Sequence, residues 1–557
     1  MFSFLNNRDK WNKIRTDERY KPLIKMLDDA YKADCENQQI DYIPFSIWMS
    51  FANTGERLSF ENLYFKRRRQ LSIYTILSML YPDNESYLIS LQDVICAICE
   101  EYSWCLPAHL PTERLNSPCH IDLFAAETGL YMAEIKHMLS DRLSSLVIER
   151  MTYEIDRRIV KSIQYNSYFF ESCKSNWGAV CGGSVAITLM YEAPDVYVKI
   201  KPRIENCIRN YLESVGEDGS VSEGTGYWEY GFCFYTLYAD MLKRYTNNKK
   251  DIMNDEKIKK LSFFYSDMCL SNNTVFSFAD SDIVQTFDIF TLYYHNNKFG
   301  VGIPPLKYGK IAFNRLSASV RAFLYFNPET ENTGILNGKA HYNDLQCYIE
   351  RKEKYAFAVK GGHNAEEHNH NDVASFVVVS NDKQLLCDLG APVYSAYAFS
   401  DESYETVVQK ASWGHNVPII GGKSQGLGRN YFGELSVDEN KISIDFRAAY
   451  PVEISKLIRN FELTENEIIL EDEYDTNFSF AERFVSEIEP QIENGCITID
   501  CMKILFEEME FVAEYSLCET KHHNGDDRIV YLITVTPKKQ NGVARFSFVF
   551  DESIGRN

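Results

Sequence analysis

From about Pro22 to Phe299 the apolar residues recur at the three- and four-residue spacing of a helix, as in the series Leu123, Phe124, Leu130, Met132, Ile135, Met138, Leu139, Leu143, Leu146 and Val147. Segment after segment reads this way, with breaks at Pro82-Asp83-Asn84, Asn116-Ser117-Pro118, Gly216-Glu217-Asp218-Gly219 and Ser271-Asn272-Asn273. After Pro304 the texture changes to short continuous or alternating apolar runs: Ala374 to Val379, Gln384 to Cys387, Ile468 to Leu470, Val530 to Val535 and Phe546 to Phe550. These read as strands. The pattern predicts a helical domain over residues 1–310 and an antiparallel β domain over 311–557, and a chain of 557 residues is long enough for two cores. No short internal repeat or low-complexity tract is evident.

Composition adds little to this picture and charge adds more. The chain is 45% hydrophobic and 25% charged, and its 14% aromatic share comes mostly from 36 Tyr and 35 Phe. Such rings form stacking platforms in sugar clefts, but most of them must be core. The formal net charge of −21 repels nucleic acid and anionic membranes, so neither is expected as a partner. Met1 to Tyr20 is interrupted by Asn6, Asn7, Arg8, Asp9 and Lys10 and lacks the apolar stretch of a secretory signal, and no transmembrane run follows. The 15 Cys are odd in number and lie inside apolar segments such as Ile95-Cys96-Ala97-Ile98-Cys99, which suits reduced thiols and a cytoplasmic location.

The densest chemistry is Gly361-Gly362-His363-Asn364-Ala365-Glu366-Glu367-His368-Asn369-His370-Asn371-Asp372, which carries three of the 11 His just before an expected strand. In extended backbone His368 and His370 would point to one side. Asp388 and His415, the latter inside Ser412-Trp413-Gly414-His415-Asn416, stand downstream. Two His and one Asp match the ligands zinc prefers; equally, Asp388 could end a strand and the histidines lie in a surface loop. A simple hairpin turning at Asn381-Asp382 would set Asp388 opposite Ser375 rather than His370, so a shared site requires the chain to fold back. Two more polar-aromatic clusters precede helices. Glu223-Gly224-Thr225-Gly226-Tyr227-Trp228-Glu229-Tyr230-Gly231 reads as a loop leading into a helix after Gly231, with aromatic packing as the plainer meaning. In Ser175-Asn176-Trp177, Asn176 could be a helix cap. Upstream, Asp122 suits a cap and His109 a buried position. Cys96 and Cys99 have no second pair at zinc-finger spacing and read as core thiols.

Taken in order, Asn176-Trp177, Glu223 to Trp228, His368-Asn369-His370-Asn371-Asp372, Asp388-Leu389-Gly390 and Ser412 to Asn416 resemble the heparinase II/III family of polysaccharide lyases, over roughly Trp104 to Gly422. The resemblance implies an incomplete (α/α) toroid followed by an antiparallel β-sandwich. It also implies β-elimination on uronate-containing oligo- or polysaccharides: the C5 proton is taken and the oxygen at C4 expelled. On this likeness Tyr227 matches the catalytic tyrosine that protonates the leaving oxygen and can also act as base. His368 matches the alternative base, and Asn176 is the candidate to neutralise the substrate carboxylate. His370, Asp388 and His415 match the residues that hold a structural zinc. His109, Trp177, Trp228, Tyr230 and Trp413, in or beside the motifs, are the candidates for sugar contact. The sequence departs from a common form of the pattern at Val373-Ala374, where a glycine often follows the Asp.

An acidic chain acting on an anionic glycan needs a locally basic or neutralising cleft. Two other functions fit the same residues: a non-catalytic glycan-binding or assembly protein, and a hydrolase whose zinc activates water. Only the lyase makes an ultraviolet-absorbing unsaturated uronate. Heparan, alginate and capsule-type uronates are all compatible with the sequence.

Overall fold

The computed structural model describes residues 3–110, 117–272, 274–281, 286–330, 338–366, 368–439 and 441–550. By internal contact the chain forms two compact units, one of Met1–Val215, Trp228–Ser262 and Thr286–Asn332, the other of Gly216–Tyr227, Phe263–Gln285 and Thr333–Asn557. This differs from a single boundary at residue 310. The helix Leu316–Tyr325, which buries Leu316 to Phe323, still belongs to the first unit. Two upstream segments, including the one that ends at Tyr227, belong to the second.

The first unit is helical, and the burial of its helices sorts them into two kinds. Leu123–Met138 and Asn176–Glu192 are buried almost all round, as a helix must be when neighbours cover every face. Pro194–Glu213 buries one stripe only, Tyr197, Ile200, Ile204, Cys207, Ile208 and Tyr211. Helices near in sequence pack together: Leu58–Leu80 on Glu85–Cys99, and Asn176–Glu192 on both Leu123–Met138 and Pro194–Glu213. Close approach is built in at Gly178, where an added Cβ would sit 2.5 Å from the Cys207 carbonyl oxygen. The last helix, Leu316–Tyr325, returns to Arg8–Thr16, Leu58–Leu80 and Leu123–Met138, closing the series on itself. At this closure Arg321 and Glu134, both fully buried, pair at 2.7 Å. Buried helices, one-faced helices and a returning end make the incomplete (α/α) toroid expected from the sequence.

In the second unit every described strand pair is antiparallel. A five-stranded sheet runs in the order Gly338–Tyr342, Cys347–Arg351, Ala356–Lys360, Phe376–Ser380, Lys383–Leu386. A nine-stranded sheet is centred on Gly542–Phe550, Glu467–Thr476 and Ile454–Leu463, and ends at Gly428–Asp438 and Gly362–Asn364. A four-stranded sheet includes Phe480–Ser486 and Asp527–Pro537. Phe357 and Phe376 of the first sheet meet Phe461 of the second at ring distances of 4.8 and 5.1 Å, so the inner faces share one aromatic core. This is the sandwich. Among the described residues no helix is long and apolar enough to cross a membrane, and all 15 Cys are free thiols.

An ion cluster lies inside this core. The fully buried guanidinium of Arg459 donates to Asp472 at 2.6 and 2.9 Å, to Glu482 at 2.6 Å, and to the carbonyls of Ala374 and Asn416 at 2.8 and 2.7 Å. Burial pushes the Glu482 carboxyl well above its ordinary range despite the guanidinium beside it. Arg459→Ala leaves this group unpaired and should lower the unfolding free energy by about 3–5 kcal/mol. Urea unfolding of the variant, followed by the fluorescence of Trp413 in the second unit, measures the loss; a midpoint equal to wild type would show the guanidinium to be dispensable.

Candidate functional site

The His-rich segment leaves the edge strand Gly362–Asn364 and does not continue as a strand. His368 sits at φ +57°, a left-handed turn, so the side-by-side placement expected from extended backbone does not apply. The following loop is pinned from several sides. Gln425 accepts from the Val373 amide at 2.9 Å and donates to the Val373 carbonyl at 2.8 Å, Ser412 donates to the Asn371 carbonyl, and the Asn371 amide donates to the Lys410 carbonyl. The next hairpin turns at Asn381 and Asp382, both at positive φ, and its register slips between Val378 and Val379. Beyond it the chain does fold back. Asn416 receives the Val485 amide and donates to the carbonyls of Phe376 and Cys387, which ties two strands and the residue just past a third to the loop that carries His415.

The outcome is a buried group of His370, Asp388 and His415 whose ligand atoms lie within 4.8 Å of one another. Their donor set suits a metal ion. His370 Nε2 faces Asp280 Oδ1 at 3.1 Å, while its Nδ1 is buried with no hydrogen-bond partner. His415 Nε2 is 2.9 Å from the Gln409 carbonyl, which leaves Nδ1 facing Asp388 Oδ2 at 3.1 Å. Each imidazole thus has one nitrogen anchored by an oxygen outside the group, which would leave the other for a metal, as in metal-ligating histidines. Burial works to raise the Asp388 carboxyl, but His415 and His370 and the Gly390 amide outweigh it and hold it below the usual range. Burial works to lower His415, and Asp388 outweighs it in turn, so that His415 is raised. A cation among these atoms would take the place of that proton.

Asp280 joins this group to a second one. Its Oδ2 is 2.8 Å from His368 Nδ1 and accepts the Tyr394 hydroxyl at 2.8 Å. Burial alone would raise the Asp280 carboxyl, but the contacts with His368 and His370 hold it well below the ordinary range. Tyr227 stacks on His368 with ring centres 4.5 Å apart, and its hydroxyl is 2.9 Å from that of Tyr394. Burial and the neighbouring Asp280 push the Tyr394 phenol well above 10. Glu223 Oε2 lies 3.9 Å from His368 Nε2. Two phenols, an imidazole and a carboxylate therefore form one connected hydrogen-bonded cluster. Sequence reasoning named Tyr227 and His368 and missed Asp280 and Tyr394, because neither stands in a residue pattern and both arrive from separate segments. Only the aromatic and small-residue context of Ser277-Phe278-Ala279-Asp280-Ser281 hints at a special turn, and Ala279 indeed has φ +56°.

The helix carrying Tyr227 begins at Gly224, not after Gly231. Gly224 has φ +83°, and an added Cβ there would lie 2.1 Å from Ser281 Oγ, so only glycine lets the two segments meet. As a result Trp228 and Tyr230 fall within the helix and point into the helical unit. Trp228 is buried and donates to the Leu261 carbonyl at 2.8 Å, and the buried Tyr230 hydroxyl donates to Glu127 beneath the Arg315 guanidinium. Both are core residues, which corrects their assignment to sugar contact. Asn176 opens its helix, but Ser175 is the cap; the Asn176 amide makes no side-chain hydrogen bond among the described residues. His109 bonds Asp122, itself the cap of Leu123–Met138, and lies beside Phe124 and Trp177 in a half-buried aromatic cluster. Trp413, in the second unit, is half-buried and donates to the Glu405 carbonyl.

The toroid and the antiparallel sandwich together define the fold of the polysaccharide lyases of the heparinase kind. A heparinase III shares it at TM-score 0.61 and 12% identity, covering 98% of this chain and 91% of that one. A heparan sulfate lyase of Pedobacter heparinus does so at TM-score 0.57 and 11% identity, covering 96% and 84%. A chondroitin AC lyase of Streptomyces coelicolor, solved with chondroitin sulphate, gives TM-score 0.56 and 8% identity over 100% and 83%. No family model matches the chain, and no curated protein does. At such identities the likeness is one of fold.

The departure at Val373-Ala374 has a structural consequence. Ala374 sits at φ +73°, a conformation that glycine adopts freely and that costs a residue with a Cβ about 1–2 kcal/mol. Ala374→Gly should therefore stabilise the protein by about 0.5–1 kcal/mol once the extra chain entropy of glycine is subtracted. Paired thermal and urea midpoints test this, and a destabilised variant would mean that the turn carries no strain.

Proposed function

We propose that the chain is a polysaccharide lyase that cleaves uronate-containing glycans by β-elimination. The observation that carries the reading is the Tyr227 phenol stacked on the His368 imidazole at 4.5 Å, both joined to Asp280 directly or through Tyr394. The shared fold supports it.

In this reading His368, whose Nδ1 faces the Asp280 carboxylate, presents Nε2 as the acceptor of the C5 proton. The electrons of the C5–H bond become the C4–C5 double bond, and the C4–O4 bond breaks. Tyr227 delivers a proton to the departing O4; afterwards His368 releases the C5 proton to solvent, and a proton from solvent restores Tyr227 through the Tyr394 hydroxyl. A proton next to a carboxylate is a weak acid until that carboxylate is neutralised, so the developing enolate needs donors aimed at it. The unpaired amide of Asn176 is assigned this task on its sequence motif, with His109 and Trp177 as sugar-contact candidates of the same unit. Uncharged donors suit a chain of net charge −21, whose own acidic surface needs no basic cleft if the anion is met by amide and phenol hydrogens. Zinc is the metal we assign to His370, Asp388 and His415, where it would supply a fixed charge that stiffens the loop bearing His368.

Tyr227→Phe keeps the stacked ring and removes one proton-transferring hydroxyl, so turnover should fall by about 10²–10⁴ with substrate binding largely kept. Formation of unsaturated uronate, followed in the ultraviolet across heparan, alginate and capsule-type oligosaccharides, is the assay; a variant that turns over like wild type takes Tyr227 out of the reaction.

His368→Ala should lose turnover yet keep about one zinc per chain, whereas His370→Ala should lose zinc and melt at a lower temperature. Elemental analysis beside thermal melting separates the two, and equal zinc in both variants would sink the division of roles.

A further inference from the structure

We propose that Asp280 is a positioning residue that fixes the tautomers of both His368 and His370, so that one carboxylate orients the metal group and the proton-accepting imidazole together. The part that concerns His368 as a base rests on the lyase reading; the part that concerns His370 does not.

An ionised carboxylate can only accept hydrogen bonds, so any ring nitrogen held against it must carry the hydrogen. Asp280 Oδ1 faces His370 Nε2 at 3.1 Å, which puts the hydrogen on Nε2 and the lone pair on Nδ1. That Nδ1 is buried with no hydrogen-bond partner, and His370 stands in the group with Asp388 and His415. Asp280 Oδ2 faces His368 Nδ1 at 2.8 Å, which puts the hydrogen on Nδ1 and the lone pair on Nε2. The two histidines are thus held in opposite tautomers by the two oxygens of one side chain. Geometry, not proximity in sequence, makes this possible. The side chain of Asp280 is only 6% exposed and follows Ala279 at φ +56°, a turn that aims the carboxylate inward. Nothing else supplies the acceptor at His370 Nε2 among the described residues.

An asparagine in the same place cannot serve both rings, because an amide offers one oxygen and one NH₂. Two donors, His368 Nδ1–H and the Tyr394 hydroxyl, converge at the Oδ2 position, so the amide oxygen of Asp280→Asn should stay there. The NH₂ then faces His370 Nε2 and forces its hydrogen onto Nδ1, which removes the lone pair that a metal needs. A nearly isosteric change thereby strikes the metal group while leaving the His368 tautomer in place. Asp280→Ala instead frees both rings.

The test is zinc affinity, by competition with a chelating dye, together with nitrogen-15 spectra of histidine-labelled metal-free protein, assigned with His368→Gln and His370→Gln. Wild type should show His370 protonated on Nε2 and His368 on Nδ1. Zinc affinity should fall about ten- to a hundredfold in Asp280→Asn and in Asp280→Ala. The His370 signal should change tautomer in Asp280→Asn, and both signals should change in Asp280→Ala. The unfolding midpoint of metal-free Asp280→Asn should match that of metal-free wild type, which a purely structural role would not give. Wild-type zinc affinity in both variants, the opposite tautomer on His370 in wild type, or a wild-type chain that takes up no zinc would each overturn the proposal. If zinc and nitrogen signals behave as expected but no uronate glycan yields unsaturated product, the lyase reading falls and the assignment of Asp280 to His370 stands.

Discussion

The second unit is organised around a charge that water cannot reach. Arg459 lies in the sandwich core, where an unpaired guanidinium is prohibitive, and its donors go to two carboxylates and two backbone carbonyls. The carbonyls belong to Ala374 and Asn416, one just past the His370 loop and the other next to His415. Satisfying the arginine therefore fixes two loops whose carbonyls, at Ala374 and Asn416, are 42 residues apart, and fixing them helps to bring His370 and His415 together. A hydrophobic residue could fill the same volume, but it would hold neither carbonyl. What the polar core adds over a hydrophobic one is the placement of these two carbonyls.

From that anchor the site grows outward by hydrogen bonds. Gln425 clamps Val373 through both backbone groups, and Asn416 ties Phe376, Cys387 and Val485. Each neutral amide side chain uses donor and acceptor at once, which an aspartate or glutamate could not do. The histidines then inherit fixed positions, and the strain at His368 and Ala374, both at positive φ, is tolerated because the surrounding bonds leave no alternative.

How much of this was legible follows from which signals are periodic. The helical and strand textures are, and they gave two domain types and five of the strands, because burial on one face or on all faces leaves its mark at fixed spacing. His370, Asp388 and His415 were legible through an ordered set of motifs, and the structure does gather them. Tyr227 and His368 were named from the same motifs, and the structure stacks their rings. Trp228 and Tyr230 misled because a helix was expected to start after Gly231; with the start at Gly224 their rings turn into the core. The boundary at 310 missed the excursions of 216–227 and 263–285, since membership of a unit depends on contacts that no local pattern records. Asp280 and Tyr394 were invisible for that same reason: a lone Asp and a lone Tyr acquire meaning only from what lies 3 Å away.

The same geometry weighs between a lyase and a metal-dependent hydrolase. A catalytic metal keeps one position open to water and substrate, whereas a structural one is enclosed. His370, Asp388 and His415 are each no more than 2% exposed, and the atoms that face one another have protein on every other side. His368 and Tyr227 are the accessible members of the combined cluster, and neither belongs to the group of candidate metal ligands. Substrate reaching this unit would meet the imidazole and the phenol first, with a metal ion one carboxylate further in. Chemistry by proton transfer fits that order of layers; attack by a metal-activated water would require it to be reversed.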